Sequence, residues 1–269
     1  MAVPETYPFE RLLVRHAVDA PTTLTWELSD LFRDPRPHEF QLQVAPTSAP
    51  AEDDWLDVGL PAENAFFLVD DEKRDYGKTE DHHWRIRLTT PRSTYASGVA
   101  TATEGLGHRD WRLVREMVRQ QRKLTARYTG VEGSFFKRRR YGPPCVCVEP
   151  ITGESTRSDC PFCFGTGRTL GYHAGVPGVF AELGLEDSRE SINADSVGTD
   201  KPIVIKAVFP GFPLVSARDF FAETMSGRRW FIERVTNTAT HRGYTFRVDV
   251  ELRQAPRTDP VHQIMPEGL

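Results

Sequence analysis

Four cysteines, Cys145, Cys147, Cys160 and Cys163, are the only ones in 269 residues, and all fall within a span of nineteen. They stand as Cys145-Val-Cys147 and Cys160-Pro-Phe-Cys163, with twelve residues between the pairs and Phe-Gly165-Thr-Gly167 after the second. Two close pairs of soft thiolates joined by a loop suit a tetrahedral zinc ion. Four thiolates leave no open coordination position, so the expected role is structural and not catalytic. The metal would also supply folding free energy that so short a segment cannot gain by burying apolar surface. Gly165 and Gly167 suit a turn in which backbone amides approach the sulfurs. The first pair is Cys-x-Cys and not the commoner Cys-x-x-Cys, and disulfide pairing or free thiols are the competing fates. Disulfide frameworks belong to small secreted domains, and a thioredoxin-like role for Cys160 and Cys163 needs a βαβ context that does not flank them. His173 is close enough in sequence to replace one cysteine but reads as a solvated residue after a glycine turn.

The second concentration of chemistry is positive charge. From His108 to Arg140 there are eleven Lys or Arg against three Asp or Glu, a net +8, while the rest of a chain of formal charge -4 carries -12. A helix over 108–127, with Trp111, Val114, Val118 and Leu124 near one face, accounts for most of this segment. It presents Arg109, Arg112 and Arg115 and leads through Phe135-Phe136 to the run Lys137-Arg138-Arg139-Arg140. These seven basic residues are candidate contacts for DNA or an acidic protein surface, because clustered cations gain affinity by releasing counterions. The competing reading is a solvated face paired with the chain's own acidic loops.

The elements that would carry these sites are mainly β. Short alternating runs at 9–14, 23–28, 39–44, 55–58, 65–69, 84–88 and 93–100 predict a seven-strand antiparallel sandwich over 1–104, in which Leu24, Trp26 and Leu28 share one face and Arg85 and Arg87 the wet face opposite Trp84, Ile86 and Leu88. This stretch resembles a fibronectin type III or immunoglobulin-like domain, and such a sandwich hosts many functions. Residues 105–140 are then the basic helix and linker, 141–173 a zinc knuckle, and 174–199 a long loop or arm with one helical turn near 179–183. Residues 200–269 form a small antiparallel barrel or meander with strands at 203–209, 220–224, 230–235 and 244–252. The acidic loops 52–54 and 70–72 lack the ligand spacing of a calcium loop, and His82-His83 reads as a loop pair.

No run approaches the ~20 apolar residues of a membrane span, and the first residues show no secretory pattern. No Gly-x-Ser-x-Gly elbow, phosphate loop, His-Glu-x-x-His helix or dinucleotide fingerprint is present, and no enzymatic activity is expected.

The run Arg140-Tyr-Gly-Pro-Pro-Cys145-Val-Cys147-Val-Glu-Pro-Ile-Thr-Gly-Glu, with Asp-Cys160-Pro-Phe-Cys163-Phe-Gly165-Thr-Gly167 and Gly171-Tyr172, resembles the zinc segment of virion neck proteins of tailed bacteriophages. Gly227-Arg-Arg-Trp230-Phe-Ile-Glu-Arg-Val235, followed by Gly243, Glu251-Leu-Arg253 and Pro256-Arg-Thr-Asp259, is similar to β-domains of neck and head-closure proteins. The resemblance covers the last half of the chain. It implies a structural subunit made in the host bacterial cytoplasm and located in the virion neck, assembled with itself as a ring. Portal or connector and other neck or tail proteins are its implied neighbours, and genomic DNA in the channel is a further candidate partner. The second cysteine pair also resembles the Cys-x-x-Cys-x-Gly-x-Gly repeat of J-protein chaperones, which recurs there and occurs once here. The alternative function is a zinc-containing nucleic-acid-binding protein using the basic segment 109–140.

Overall fold

Where apolar and polar residues alternate, one face of a strand is committed to a core. In the computed structural model, which describes residues 7–17, 20–29, 32, 38–47, 50–71, 82–101, 108–149, 155–157, 159–184, 203–241 and 244–265, this pattern builds two units. Met1–Arg115 with Arg140–Pro144 form the first, and Glu116–Arg139 with Cys145–Leu269 the second.

The first unit holds β1 (Phe9–Ala17), β2 (Ala20–Leu28), β3 (Glu39–Ala45), β4 (Leu56–Glu63), β5 (Phe67–Asp70), β6 (His83–Thr89), β7 (Thr94–Ala96) and β8 (Ala100–Thr101). They make two antiparallel sheets, in the orders β1-β2-β5 and β4-β3-β6-β7, with β8 also on β6. Leu24, Trp26 and Leu28 of one sheet and Phe40, Leu42, Trp84, Ile86 and Leu88 of the other enclose a single core, which Tyr141 joins. Phe40 lies opposite Leu88, Leu42 opposite Ile86 and Val44 opposite Trp84, so a slip of one residue would turn every one of them to solvent. The expected strand 93–100 is two pieces. Ser97 between them accepts the Ile86 N–H through Oγ and donates its own N–H to the Ile86 carbonyl, which interrupts the ladder. Arg85 is not on a wet face. Its guanidinium lies 4.3 Å above the Trp55 ring, forks onto Glu52 and donates to Gln43.

The helix α1 runs over His108–Leu124 and passes into a π-helical turn, Thr125–Thr129, shorter than the expected span to 127. Thr125 Oγ1 donates back to the Gln121 carbonyl at 2.9 Å and competes with the helix ladder. Val114 and Val118 are buried, but Leu124 is 48% exposed and does not belong to the apolar stripe. No helix among the described residues is long and apolar enough to cross a membrane.

The second unit is a closed barrel. Its strands are β9 (Gly130–Phe136), β10 (Val176–Leu183), β11 (Val204–Pro210), β12 (Phe220–Glu223), β13 (Arg229–His241) and β14 (Tyr244–Gln254), arranged β10-β11-β14-β13-β12-β9 and closed by the β9–β10 pair. Phe135, Phe209, Phe221, Trp230, Ile232 and Leu252 fill the interior. The sequence pattern predicts four C-terminal strands; the barrel needs six, and the other two come from the segments that read as linker and arm. The helical turn expected at 179–183 is therefore part of β10. Both differences have a cause in glycine. Gly133 lies where a Cβ would strike the Phe221 ring and the Ala222 carbonyl, and Pro177-Gly178 looks like a turn but forms an irregularity in the register with β9. The rest of the expected arm, 185–199, lies outside the described residues.

Candidate metal centre

The cysteines sit on the excursion between β9 and β10, so the barrel itself sets the ends of the loop. At its base Arg138 bridges Tyr172, the His173 N–H donates to the Lys137 carbonyl and the Arg139 N–H to the Gly171 carbonyl, the last two at 2.9 Å. Further out the Cys145 N–H donates to the Gly167 carbonyl at 3.0 Å, which aligns the two cysteine turns. Tyr172 and Phe164 then pack against Phe136 and Phe220, whose rings stack at 4.3 Å on the barrel wall.

All four Sγ atoms lie within 4.8 Å of one another. Cys145 and Cys160 are 3.7 Å apart, and Cys147 and Cys163 3.4 Å. A tetrahedron with metal–sulfur bonds of about 2.3 Å has edges of about 3.8 Å, whereas a disulfide bond is about 2.05 Å. The four thiols thus have the separations of a set that could hold a metal ion, and not those of two disulfides. Among the described residues this group comprises the cysteines alone; His173 is buried, contrary to the solvated residue expected, and is not one of the four donors.

The surroundings divide the thiols into unequal acids. Burial opposes ionisation of Cys160, but the backbone amides of Phe162 and Cys163 hydrogen-bond its sulfur and neighbouring thiols assist, bringing it down to about 7. Burial, then the hydrogen bond with Cys147, pushes Cys163 up to about 12 despite the Gly167 amide. Burial also raises Cys145, against the Cys147 amide. The amide–sulfur bonds orient the sulfurs as the glycine-containing turn led one to expect.

The basic residues separate into two groups. Arg109 and Arg112 are exposed and Arg115 half-buried on α1. Lys137 is no contact surface: its side chain is 4% exposed, because Nζ reaches Asp219, Ser216 and the Leu214 carbonyl. Phe135 and Phe136 are likewise core and not exposed aromatics. Arg138 and Arg139 are half-buried and donate to the carbonyls of Thr166 and Tyr172, so they brace the cysteine loop; Arg140 is also half-buried. Asp219, which gathers Lys137 Nζ and the N–H groups of Arg138 and Ser216, had no signal in a stretch without periodicity. Comparisons with protein-family models, with curated proteins and with solved structures gave no match.

Proposed function

We propose that this chain is a structural subunit of a tailed-phage virion, forming a ring in the neck that joins head to tail, and that its four cysteines hold one structural zinc ion. The observation that carries this reading is the placement of the four-thiol group. It sits on an insertion braced against a barrel whose interior is filled by side chains, with all four donors from one short segment and none left for substrate. The cysteine segment from residue 145 and the run 227–259, which together carry most of the resemblance to neck proteins, belong to the same unit. The pairing orders β1-β2-β5 and β4-β3-β6-β7 suit a fibronectin type III-like or immunoglobulin-like sandwich, a module for contacting a neighbour. Portal and tail proteins are the neighbours this assignment implies.

Metal analysis of protein purified without chelator is expected to give one zinc per chain, native mass spectrometry a closed oligomer, and peptide mass spectrometry the chain in purified particles. Its absence from particles would refute the assignment.

A second reading, nucleic-acid binding, is favoured by one observation: α1 exposes Arg109, Arg112, Arg119, Arg122 and Lys123, with Tyr128 81% exposed beyond its end. Monomeric protein whose DNA affinity falls steeply with salt would support it over the ring.

A further inference from the structure

Among the described residues, one end of the barrel is open. Each of the six strands contributes a residue to its rim: Val131, Leu183, Ile205, Glu223, Trp230 and Gln254 line a cavity of ≈ 1060 Å³. The wall is largely apolar, and Ile203 stands at it 41% exposed. Its buried carboxylate, Glu223, is already engaged by Trp230 Nε1–H at 2.5 Å and by the Ser226 hydroxyl. His262 Nε2, buried and without a hydrogen-bond partner among the described residues, lies along the same cavity. Such a mouth suits an apolar plug carrying one polar group better than a small polar substrate.

The same unit exposes large apolar side chains on its cysteine loop. Val146 between Cys145 and Cys147 is 92% exposed, Phe162 between Cys160 and Cys163 is 65% exposed, and Leu170, whose N–H donates to the Phe162 carbonyl, is 62% exposed. That bond puts Phe162 and Leu170, two large exposed apolar side chains, side by side on the loop. By chain geometry these side chains cannot be meant for the mouth of their own barrel. The loop leaves β9 at Phe136 and returns into β10 at Val176, whereas the mouth is made by Val131 near the start of β9 and Leu183 at the end of β10, the opposite ends of the same strands.

We propose that the cysteine knuckle of one copy of this chain plugs the barrel mouth of the next. The inference rests on the ring reading and deepens it by naming the contact. Charge agrees: four thiolates around a divalent ion carry a formal charge of about -2, and at the mouth Arg228 and Arg257 outnumber the one lining carboxylate, Glu223. A plug and a socket at opposite ends of one barrel give a heterologous, head-to-tail contact, the kind that closes into rings when the rotation per subunit allows. The metal site then has a purpose beyond local folding, since it fixes the conformation in which Val146 and Phe162 are presented.

Two single variants of the full chain test this. Phe162→Asp removes the plug and retains all four cysteines; Ile203→Asp places a charge in the socket at an exposed position, where folding tolerates it. Each is expected to keep its zinc and its unfolding transition, and to weaken self-association about thirtyfold or more. Mixed, the two variants should form a 1:1 heterodimer and nothing larger, because only one intact plug faces one intact socket. A photoreactive phenylalanine analogue at position 162 should crosslink to residues 131, 183, 203 or 257 of another copy. If the unaltered chain forms rings that neither substitution weakens, or if the crosslink maps elsewhere, the plug is overturned while the ring stands. A chain that stays monomeric at every concentration and yields no crosslink overturns both.

Discussion

Lys137 Nζ lies 3.2 Å from Asp219 Oδ2, with the two side chains 4% and 1% exposed, so the end of β9 is tied to the turn before β12 by a buried ion pair. The same ammonium donates to the Leu214 carbonyl and the Ser216 hydroxyl, and the carboxylate accepts the N–H groups of Arg138 and Ser216. Burial raises the Asp219 carboxyl, and Lys137 with these amides opposes it.

Removing one member of such a pair leaves the other charged in a low-dielectric site, at a cost of about 3–5 kcal/mol. Lys137→Met is expected to lower the stability of the second unit by that amount in denaturant titration. Lys123→Met, at the exposed end of α1, should change it by less than about 0.5 kcal/mol. Equal effects at the two positions would show that Lys137 is not the buried anchor described.

Zinc uptake is expected to release protons. Metal ligation requires thiolates, yet burial holds Cys145 above its ordinary value and Cys163 up at about 12, so both carry protons at neutral pH before metal binds. Binding must displace at least those two, and acid therefore weakens the site while alkali strengthens it. Calorimetry at pH 7.5 in buffers of different ionisation enthalpy measures the number directly. A release below two protons per ion would contradict the assigned environments.

The grouping of the four thiols was legible because thiol spacing is a local property: Cys145 to Cys163 bring their own turns. The two sheets of the first unit were legible for a similar reason, since Leu24, Trp26 and Leu28 or Trp84, Ile86 and Leu88 announce a buried face in five residues. The barrel was legible only in its last four strands. Its closure depends on β9 and β10, whose facing ends, Phe136 and Val176, are separated in the chain by the whole cysteine loop, and in each strand a glycine required by close packing or a register irregularity erases the alternation. Lys137 looked like one of four equivalent cations because its partner, Asp219, is 82 positions away. Sequence pattern reports burial and local turns; long-range pairing of a charge with its counter-ion leaves no periodic trace.

Gly171 is expected to be intolerant of any side chain. Its φ is +61°, and a Cβ would stand 2.5 Å from the Cys163 carbonyl oxygen and 2.7 Å from the Phe164 ring, in the turn that presents the second cysteine pair. Gly171→Ala should weaken zinc binding and expose the loop to protease. Gly227, at φ +68° with nothing within 4 Å of the same position, should lose only the left-handed backbone preference, about 1–2 kcal/mol. Equal zinc affinity in Gly171→Ala and the unaltered chain would refute the close approach.

Chelation is expected to open the knuckle without opening the barrel. The amides of Cys145, Phe164 and Thr166 bond within the loop, to the carbonyls of Gly167, Cys160 and Cys163, and the cluster of apolar contacts there consists of the cysteines with Val148. Apart from short-range bonds such as Thr156 N–H to the Cys147 carbonyl and the Arg138 contact with the Thr166 carbonyl, these turns have little apolar packing of their own, so most of their protection is expected to derive from metal binding. The amides of β11 and β14 belong to a seven-position ladder backed by Phe209, Val250 and Leu252 in the filled interior. Hydrogen exchange before and after zinc removal should therefore show the loop amides exchanging about a hundredfold faster or more, equivalent to about 2.7 kcal/mol, while the β11 and β14 amides keep their rates. Tyr172 and Phe164 mark the boundary, since they pack on Phe136 and Phe220 and not on the cysteines. Loss of protection that spread past them into β11 and β14 would mean that the ion stabilises the whole second unit, and the knuckle would not be a separable insertion.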